Sequence, residues 1–224
     1  MSEIRSVAFD GNGVLYYRDS EVVDSVIASA RERGLTLPDD ARQRYTHLMH
    51  EAFRGSMTRE QMVEAILDSW NVSEPEHRSA LADAITRASR TIRLYPGVIP
   101  TLARLKQLGI GTGVITNTFQ SSEEKWLWFR TQGIASYLDR IISSIEVGVA
   151  KPDPAIYALY VQACGLRPEE VAFVGHDLGE LYGAQQAGLV CLAFRPDQPG
   201  VFEPEFFNFA DLVPLIGAGE AAGT

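Results

Sequence analysis

The pattern of apolar and polar residues divides this chain into two kinds of segment. A short apolar run at residues 4–10 predicts a first strand, and the next seventy or so residues carry helical rather than strand periodicity. Helices are predicted there at 21–33 and 38–53. Two more open at Thr58 and Ser73, where Ser or Thr precedes Gln or Glu by three residues. The pattern therefore predicts an all-helical block early in the chain.

Helix and strand signals alternate after Pro96 and Gly97. The predicted elements are a helix to residue 108, a strand to 116, a helix from 121, a strand at 140–143, a helix from 154, and strands at 171–174 and 189–194. Such alternation is typical of βαβ units with right-handed crossovers and a parallel sheet. The predicted fold class is therefore α/β, interrupted by the helical block.

The composition of the chain argues against nucleic acid and membranes as partners. The 224 residues are 46% hydrophobic and 22% charged, and the net charge is −9. This negative charge disfavours the diffuse basic surface that binds nucleic acid, and it leaves a local basic pocket open. No apolar run is long enough to span a membrane, and no signal-peptide pattern opens the chain. We therefore expect no nucleic acid, no membrane and a cytoplasmic location. Cys164 and Cys191 are expected to be reduced core residues, and the small-residue tail at 217–224 is expected to be flexible.

Polar residues that could bind or react with a ligand stand at the ends of the predicted strands. Asp10 ends the first strand and is followed by the turn Gly11-Asn12-Gly13, and Thr116 ends a later strand before Asn117. Parallel sheets bind ligands at the carboxyl ends of their strands. A cation and an acidic cluster follow in the segments Lys151-Pro152-Asp153-Pro154 and Gly175-His176-Asp177, with Glu180 shortly after.

These four segments, in this order, resemble the motifs of the haloacid dehalogenase superfamily of hydrolases. The resemblance extends from Phe9 to about Arg195 and implies a Rossmann-like parallel sheet core with a small all-helical cap domain. It places the core at 1–15 and 92–216, the cap at 16–91 and the flexible tail at 217–224.

The resemblance also implies a role for each motif residue. Asp10 is the expected nucleophile, which forms an aspartyl-phosphate intermediate in phosphatases of this family. Thr116 and the backbone N–H groups around Gly11, Asn12 and Asn117 are expected to bind the substrate's oxygens. Lys151 is expected to neutralise charge on Asp10 and on the substrate.

A Mg²⁺ ion is the cofactor that the phosphatase pattern implies. Its expected ligands are Asp10, the backbone carbonyl of Asn12 and Asp177, with Glu180 behind them, because Mg²⁺ prefers oxygen donors. His176 stands where phosphatases usually have a metal-binding Asp, so we expect Mg²⁺ to bind weakly. Imidazole is a poor ligand for this ion.

Asn12 is the second departure from the phosphatase pattern. Phosphatases of this family have an Asp there, which protonates the leaving group and then activates water. A carboxamide does neither near neutral pH.

We take a Mg²⁺-dependent phosphatase of small phosphorylated metabolites, impaired by Asn12, as the leading hypothesis. A metal-free 2-haloacid dehalogenase is the alternative, in which Arg42 or Arg44 of the cap would hold the substrate's carboxylate. A catalytically degenerate member that binds a ligand or a protein also stays open. The expected partner is a small phosphate ester or another small anion.

Overall fold

A computed structural model describes residues 3–217, and residues 218–224, which hold most of the tail expected to be flexible, lie outside the described residues. A six-stranded, fully parallel sheet forms the centre of the fold and confirms the α/β prediction. Its strands run in the order β5-β4-β1-β6-β7-β8. They are β1 (Ser6–Phe9), β4 (Gly111–Thr116), β5 (Arg140–Ser143), β6 (Val171–Gly175), β7 (Val190–Phe194) and β8 (Glu205–Phe206).

Helices cover both faces of this sheet because its strands are apolar on both sides. Val7 and Phe9 of β1 pack into one apolar cluster, whereas Ala8 between them packs into the cluster on the opposite face. The covering helices are α5 (Val98–Gln107), α6 (Ser122–Thr131), α7 (Ser144–Val147), α8 (Pro154–Cys164), α9 (Leu178–Gln186) and α10 (Leu212–Leu215). Short 3₁₀ turns lie at Ala135–Tyr137, Pro168–Glu170 and Phe209–Asp211.

The early helical block forms a four-helix unit with an apolar core of its own, which also includes Phe119 from the sheet domain. Its helices are α1 (Val22–Glu32), α2 (Ala41–Phe53), α3 (Arg59–Ser69) and α4 (Pro75–Arg90). Trp70 and Tyr45 are buried in that core, and the Trp70 indole N–H donates to the carbonyl of Ala41. No helix in the described part of the chain combines the length and apolar character needed to cross a bilayer.

Capping boxes were predicted at the starts of two of these helices, and the structure has one of them. The predicted capping box is confirmed at Thr58, whose side chain accepts from Gln61 N–H while the Gln61 side chain accepts from Thr58 N–H. The matching prediction at Ser73 is wrong, because α4 begins at Pro75 with Glu74 at its N-cap and no side-chain cap bond. Proline needs no N–H partner at that position, so the helix starts without the box.

Three short strands were not predicted from the sequence. β2 (Tyr16–Tyr17) and β3 (Arg93–Leu94) pair antiparallel where the chain enters and leaves the four-helix unit. With two residues each, neither strand is long enough to show an alternating pattern, and the same is true of β8.

Candidate active site

The carboxyl ends of three adjacent strands meet below the four-helix unit. Asp10 follows β1, Thr116 ends β4 and His176 follows β6, and these strands are neighbours in the sheet. Together with residues of α2 they line a cavity of about 400 Å³. This volume suits a small-molecule ligand.

Asp10 is buried in this cavity between two cationic side chains. Its Oδ1 accepts from Lys151 Nζ at 2.5 Å and from Gly11 N–H at 2.7 Å, and its Oδ2 lies 3.5 Å from His176 Nε2. Burial alone would raise the pKa of Asp10, but Lys151 and His176 outweigh burial and lower it. Asp10 is therefore a carboxylate at neutral pH, as a nucleophile must be.

Lys151 is buried and bridges two carboxylates. Its Nζ lies 2.5 Å from Asp10 Oδ1 and 2.7 Å from Glu180 Oε2. Burial would lower the pKa of Lys151, but the two carboxylates raise it. For Glu180, burial raises the pKa to about 7 even though Lys151 opposes that shift. Glu180 is thus a carboxyl group that exchanges a proton near neutral pH.

Two neighbours fix the loop that carries Lys151. The Asn117 side chain donates to the carbonyl of Lys151 at 2.9 Å and accepts from its N–H at 2.8 Å. On the other side, α9 approaches so closely that a Cβ at Gly183 would lie 2.0 Å from the carbonyl oxygen of Pro152. The side chain of Asn117 therefore holds the Lys151 backbone in place, and Asn117 also lines the cavity, where its backbone N–H was predicted to bind substrate.

His176 packs against the turn that follows Asp10. Its Nδ1 lies 3.1 Å from Asp197 Oδ1, and its ring occupies the space that a side chain at Gly13 would fill. Gly13 also has a φ of +83°, which glycine adopts without strain. Burial would lower the pKa of His176, but Asp10 and Asp197 raise it to about 9. The ring is therefore an imidazolium at neutral pH and places positive charge beside Asp10.

The residues at this edge do not fit the predicted Mg²⁺ ion. Asp177 is turned away to cap α9, with its Oδ1 accepting from Glu180 N–H at 2.9 Å, and it is not among the described residues that line the cavity. Within residues 3–217 no group of three or more His, Cys, Asp or Glu side chains is arranged to hold a metal ion. Asp10 Oδ2 lies 3.5 Å from Nε2 of the cationic His176, and Asp177 is directed to its own helix, so the side chains here do not offer the second carboxylate that the phosphatase pattern implies for Mg²⁺.

The remaining predicted residues lie in or beside the cavity. Thr116 is buried at the end of β4 and lines it, and Gly11 lies directly behind Asp10. Asn12 also lines it, but its side-chain oxygen accepts from Arg18 at 2.7 Å. Of the two arginines proposed for a carboxylate, Arg42 lines the cavity and pairs with Asp24, whereas Arg44 pairs with Asp40 and donates to Ser69.

The cavity residues that sequence patterns missed include Arg18, Tyr45 and Lys125. Lys125 is 2% exposed and belongs to the buried face of α6. Arg18 follows β2, and Tyr45 lies on α2. A charged residue inside a helical pattern is usually solvated, so nothing in the local sequence marked Lys125.

Comparison with known proteins agrees with this geometry. The family model for haloacid dehalogenase-like hydrolases matches residues 4–188. The chain belongs to this family. A likeness to solved structures supports the same fold: the 2-haloacid dehalogenase of Pseudomonas syringae pv. Tomato is 22% identical, with a TM-score of 0.71 over 96% of this chain and 98% of that one.

Curated relatives include both phosphatases and dehalogenases. The glyceraldehyde 3-phosphate phosphatase of Methanopyrus kandleri is 32% identical over 114 residues, which are 50% of this chain and 48% of that protein. The (S)-2-haloacid dehalogenase 4A of Burkholderia cepacia is 26% identical over 221 residues, 95% of this chain and 90% of that protein. The match thus spans about half the length of the phosphatase and nearly all of the dehalogenase. The family is established, and both activities occur within it.

Proposed function

We propose that this hydrolase displaces halide from small 2-halo acids, with Asp10 as the nucleophile. The observation that carries the proposal is the surroundings of Asp10: two cationic side chains, Lys151 and His176, contact it, and Asn12 stands where a leaving-group acid would be needed. An alkoxide leaving group needs a proton from such an acid, whereas a halide does not. The near full-length similarity to a haloacid dehalogenase supports the same choice.

In the first step, a carboxylate oxygen of Asp10 attacks the carbon that bears the halogen. The new C–O bond forms as the carbon–halogen bond breaks, and the halide leaves with the bonding electron pair. Oδ2 is the better candidate for this attack, because Oδ1 already accepts two short hydrogen bonds. The product of this step is an ester between Asp10 and the substrate.

In the second step, water attacks the carbonyl carbon of this ester and releases a 2-hydroxy acid. Glu180 lines the cavity and has a pKa of about 7, which suits the group that takes a proton from water. The N–H of Gly11 and the ammonium of Lys151 already contact Asp10 Oδ1 and would stabilise negative charge that develops on it. Asp10 is regenerated, and one proton and one halide are released for each water consumed.

The four-helix unit is proposed to act as a cap over the reacting atoms. Its contribution of Tyr45, Met49 and Phe53 to the wall of the cavity supports this role, since apolar walls exclude water from the reacting groups. We also propose a cytoplasmic location, supported by the free thiols of Cys164 and Cys191.

The test is halide release from 2-chloropropionate, measured with excess EDTA and with added Mg²⁺. We expect turnover that EDTA leaves unchanged. In a single turnover in ¹⁸O-water with excess protein, ¹⁸O should enter Asp10 and not the released 2-hydroxy acid. Label that appears in the product alone would refute Asp10 as the nucleophile, and turnover that requires Mg²⁺ would refute the metal-free reaction.

A phosphatase is the second candidate, in line with the expected Mg²⁺ dependence. It is supported by the 32% identity to a sugar-phosphate phosphatase and by the cationic groups that line the cavity. If it is right, Asn12→Asp restores the missing proton-transfer group and raises phosphate release ~10²–10⁴-fold with Mg²⁺ present. Equal rates for the two proteins on a panel of phosphate monoesters would exclude this candidate.

A further inference from the structure

Lys125 is a buried lysine with no counter-ion in the part of the chain that the structure describes, and burial lowers its pKa below the usual value for a lysine. Its Nζ donates to Tyr16 Oη at 3.2 Å and lies 4.4 Å from the centre of the Trp128 ring. No carboxylate lies within ion-pair distance of it in the part of the chain that is described. Lys151 provides the contrast, since it is equally buried in the same cavity but contacts both Asp10 and Glu180.

Such a lysine is costly to the fold. Burying an ammonium group without a paired charge is strongly unfavourable, and a contact with an aromatic ring returns only part of the lost hydration. Leu or Met would fill the same space without this cost. A function in binding an anion explains why a charged residue occupies the position, because the anion then supplies the missing counter-charge.

Two further cavity residues have unused hydrogen-bonding capacity. Arg18 Nε and Tyr45 Oη are both buried, and neither has a hydrogen-bond partner within residues 3–217. The Arg18 guanidinium lies over the rings of Tyr16 and Trp128, which Lys125 also contacts. All three side chains line the cavity that contains Asp10.

This cluster lies close to the nucleophile. Tyr16 Oη, the hydrogen-bond partner of Lys125, packs against the turn after Asp10, at 2.9 Å from where a Cβ on Gly11 would be. Arg18 reaches the same turn through Asn12. Tyr16 and Arg18 therefore connect the cluster to the turn that follows Asp10, and Asp10 is close enough to Lys125 to act on its charge.

We propose that Lys125, with Arg18 and Tyr45, binds the carboxylate of the substrate and selects molecules that carry an acid group beside the bond that is broken. The identity of the anion rests on the proposed dehalogenation, which requires a carboxylate. The site itself is defined by Lys125, which has no counter-ion within residues 3–217, and by the two donors that have no partner there. Lys125 is a specificity-determining residue here, and Asp10 remains the group that reacts.

Binding of the unreactive product analogue L-lactate tests this proposal without any turnover. The chain has three lysines, Lys106, Lys125 and Lys151, so [6-¹³C]lysine gives three resonances, and the two that are lost in Lys106→Arg and in Lys125→Met are assigned to those two residues. In the unmodified protein we expect L-lactate to shift the Lys125 resonance and neutral L-lactamide to leave it unchanged. The carboxylate assignment would be overturned if lactate left the chemical shift of Lys125 unchanged. It would also be overturned if inorganic phosphate changed that shift and lactate did not.

A matched pair of variants measures the size of the effect. Lys125→Met keeps the length and removes the charge, and the control Lys106→Met alters an exposed lysine that donates to the carbonyl of Ser136. Hydrogen bonds to a charged group predict roughly 10- to 100-fold weaker lactate binding for Lys125→Met by calorimetry, with wild-type affinity for the control. Equal affinity in the two variants would refute the proposal. If haloacids are not turned over but lactate binding still depends on Lys125, the proposed reaction fails while the carboxylate site stands.

Discussion

Replacing His176 with Gln should change how the stability of this protein depends on pH. Gln keeps an N–H donor toward Asp10 and removes the positive charge. The pKa of His176 rises from 6.5 to about 9 in the folded protein because Asp10 and Asp197 stabilise its charged form more than burial disfavours it. A shift of this size corresponds to roughly 3 kcal/mol of unfolding free energy.

The sign follows from the direction of that shift. The folded protein holds the His176 proton more tightly than the unfolded chain does, so this stabilisation is complete below about pH 6.5. It declines as the pH rises toward 9 and is absent above that. Wild type should therefore exceed His176→Gln in stability at pH 6 by up to about 3 kcal/mol, and the difference should shrink steadily up to pH 9.5.

Urea unfolding at intervals between pH 6 and pH 9.5 measures this difference, and subtraction of the two curves removes contributions from groups common to both proteins, such as Glu180. The control is His47→Gln, which changes an exposed histidine of α2. A direct NMR titration should find His176 still protonated at pH 8. Parallel stability curves for wild type and His176→Gln, or a midpoint for His176 near 6.5, would refute the reasoning.

Three other changes test different parts of the structure. Asp10→Asn should abolish turnover and preserve the fold, and residual steady-state halide release in a folded variant would contradict the nucleophile role. Gly183→Ala forces a Cβ against the Pro152 carbonyl and should cost about 1–3 kcal/mol by urea unfolding, with a lower kcat because the Lys151 loop must move; unchanged stability and kcat would show that the contact is unimportant. Thr58→Ala removes the α3 N-cap and should cost about 1 kcal/mol, whereas Thr58→Ser should be near neutral, and equal losses in both would argue against the hydroxyl as the cause.

The sequence by itself determined the architecture and the first contacts of the site. Periodicity separated the helical block from the alternating helices and strands, because each element's spacing reflects which of its faces is buried. Asp10 and Thr116 were predicted from sequence because each follows or ends an apolar strand, and Lys151 was predicted from the segment Lys151-Pro152-Asp153-Pro154. Parallel strands bring such ends to one edge.

Only the tertiary structure decided what surrounds Asp10. His176 lies beside Asp10 because Gly13 leaves room for the ring, and Asp177 caps its own helix instead of facing the cavity. Neither arrangement can be predicted from the sequence. Lys125 is 109 residues from its partner Tyr16, so the buried ammonium could not be inferred from local spacing. Local patterns encode which face of an element is buried, whereas the charges that meet in a cavity depend on contacts between distant segments, which form only when the chain packs.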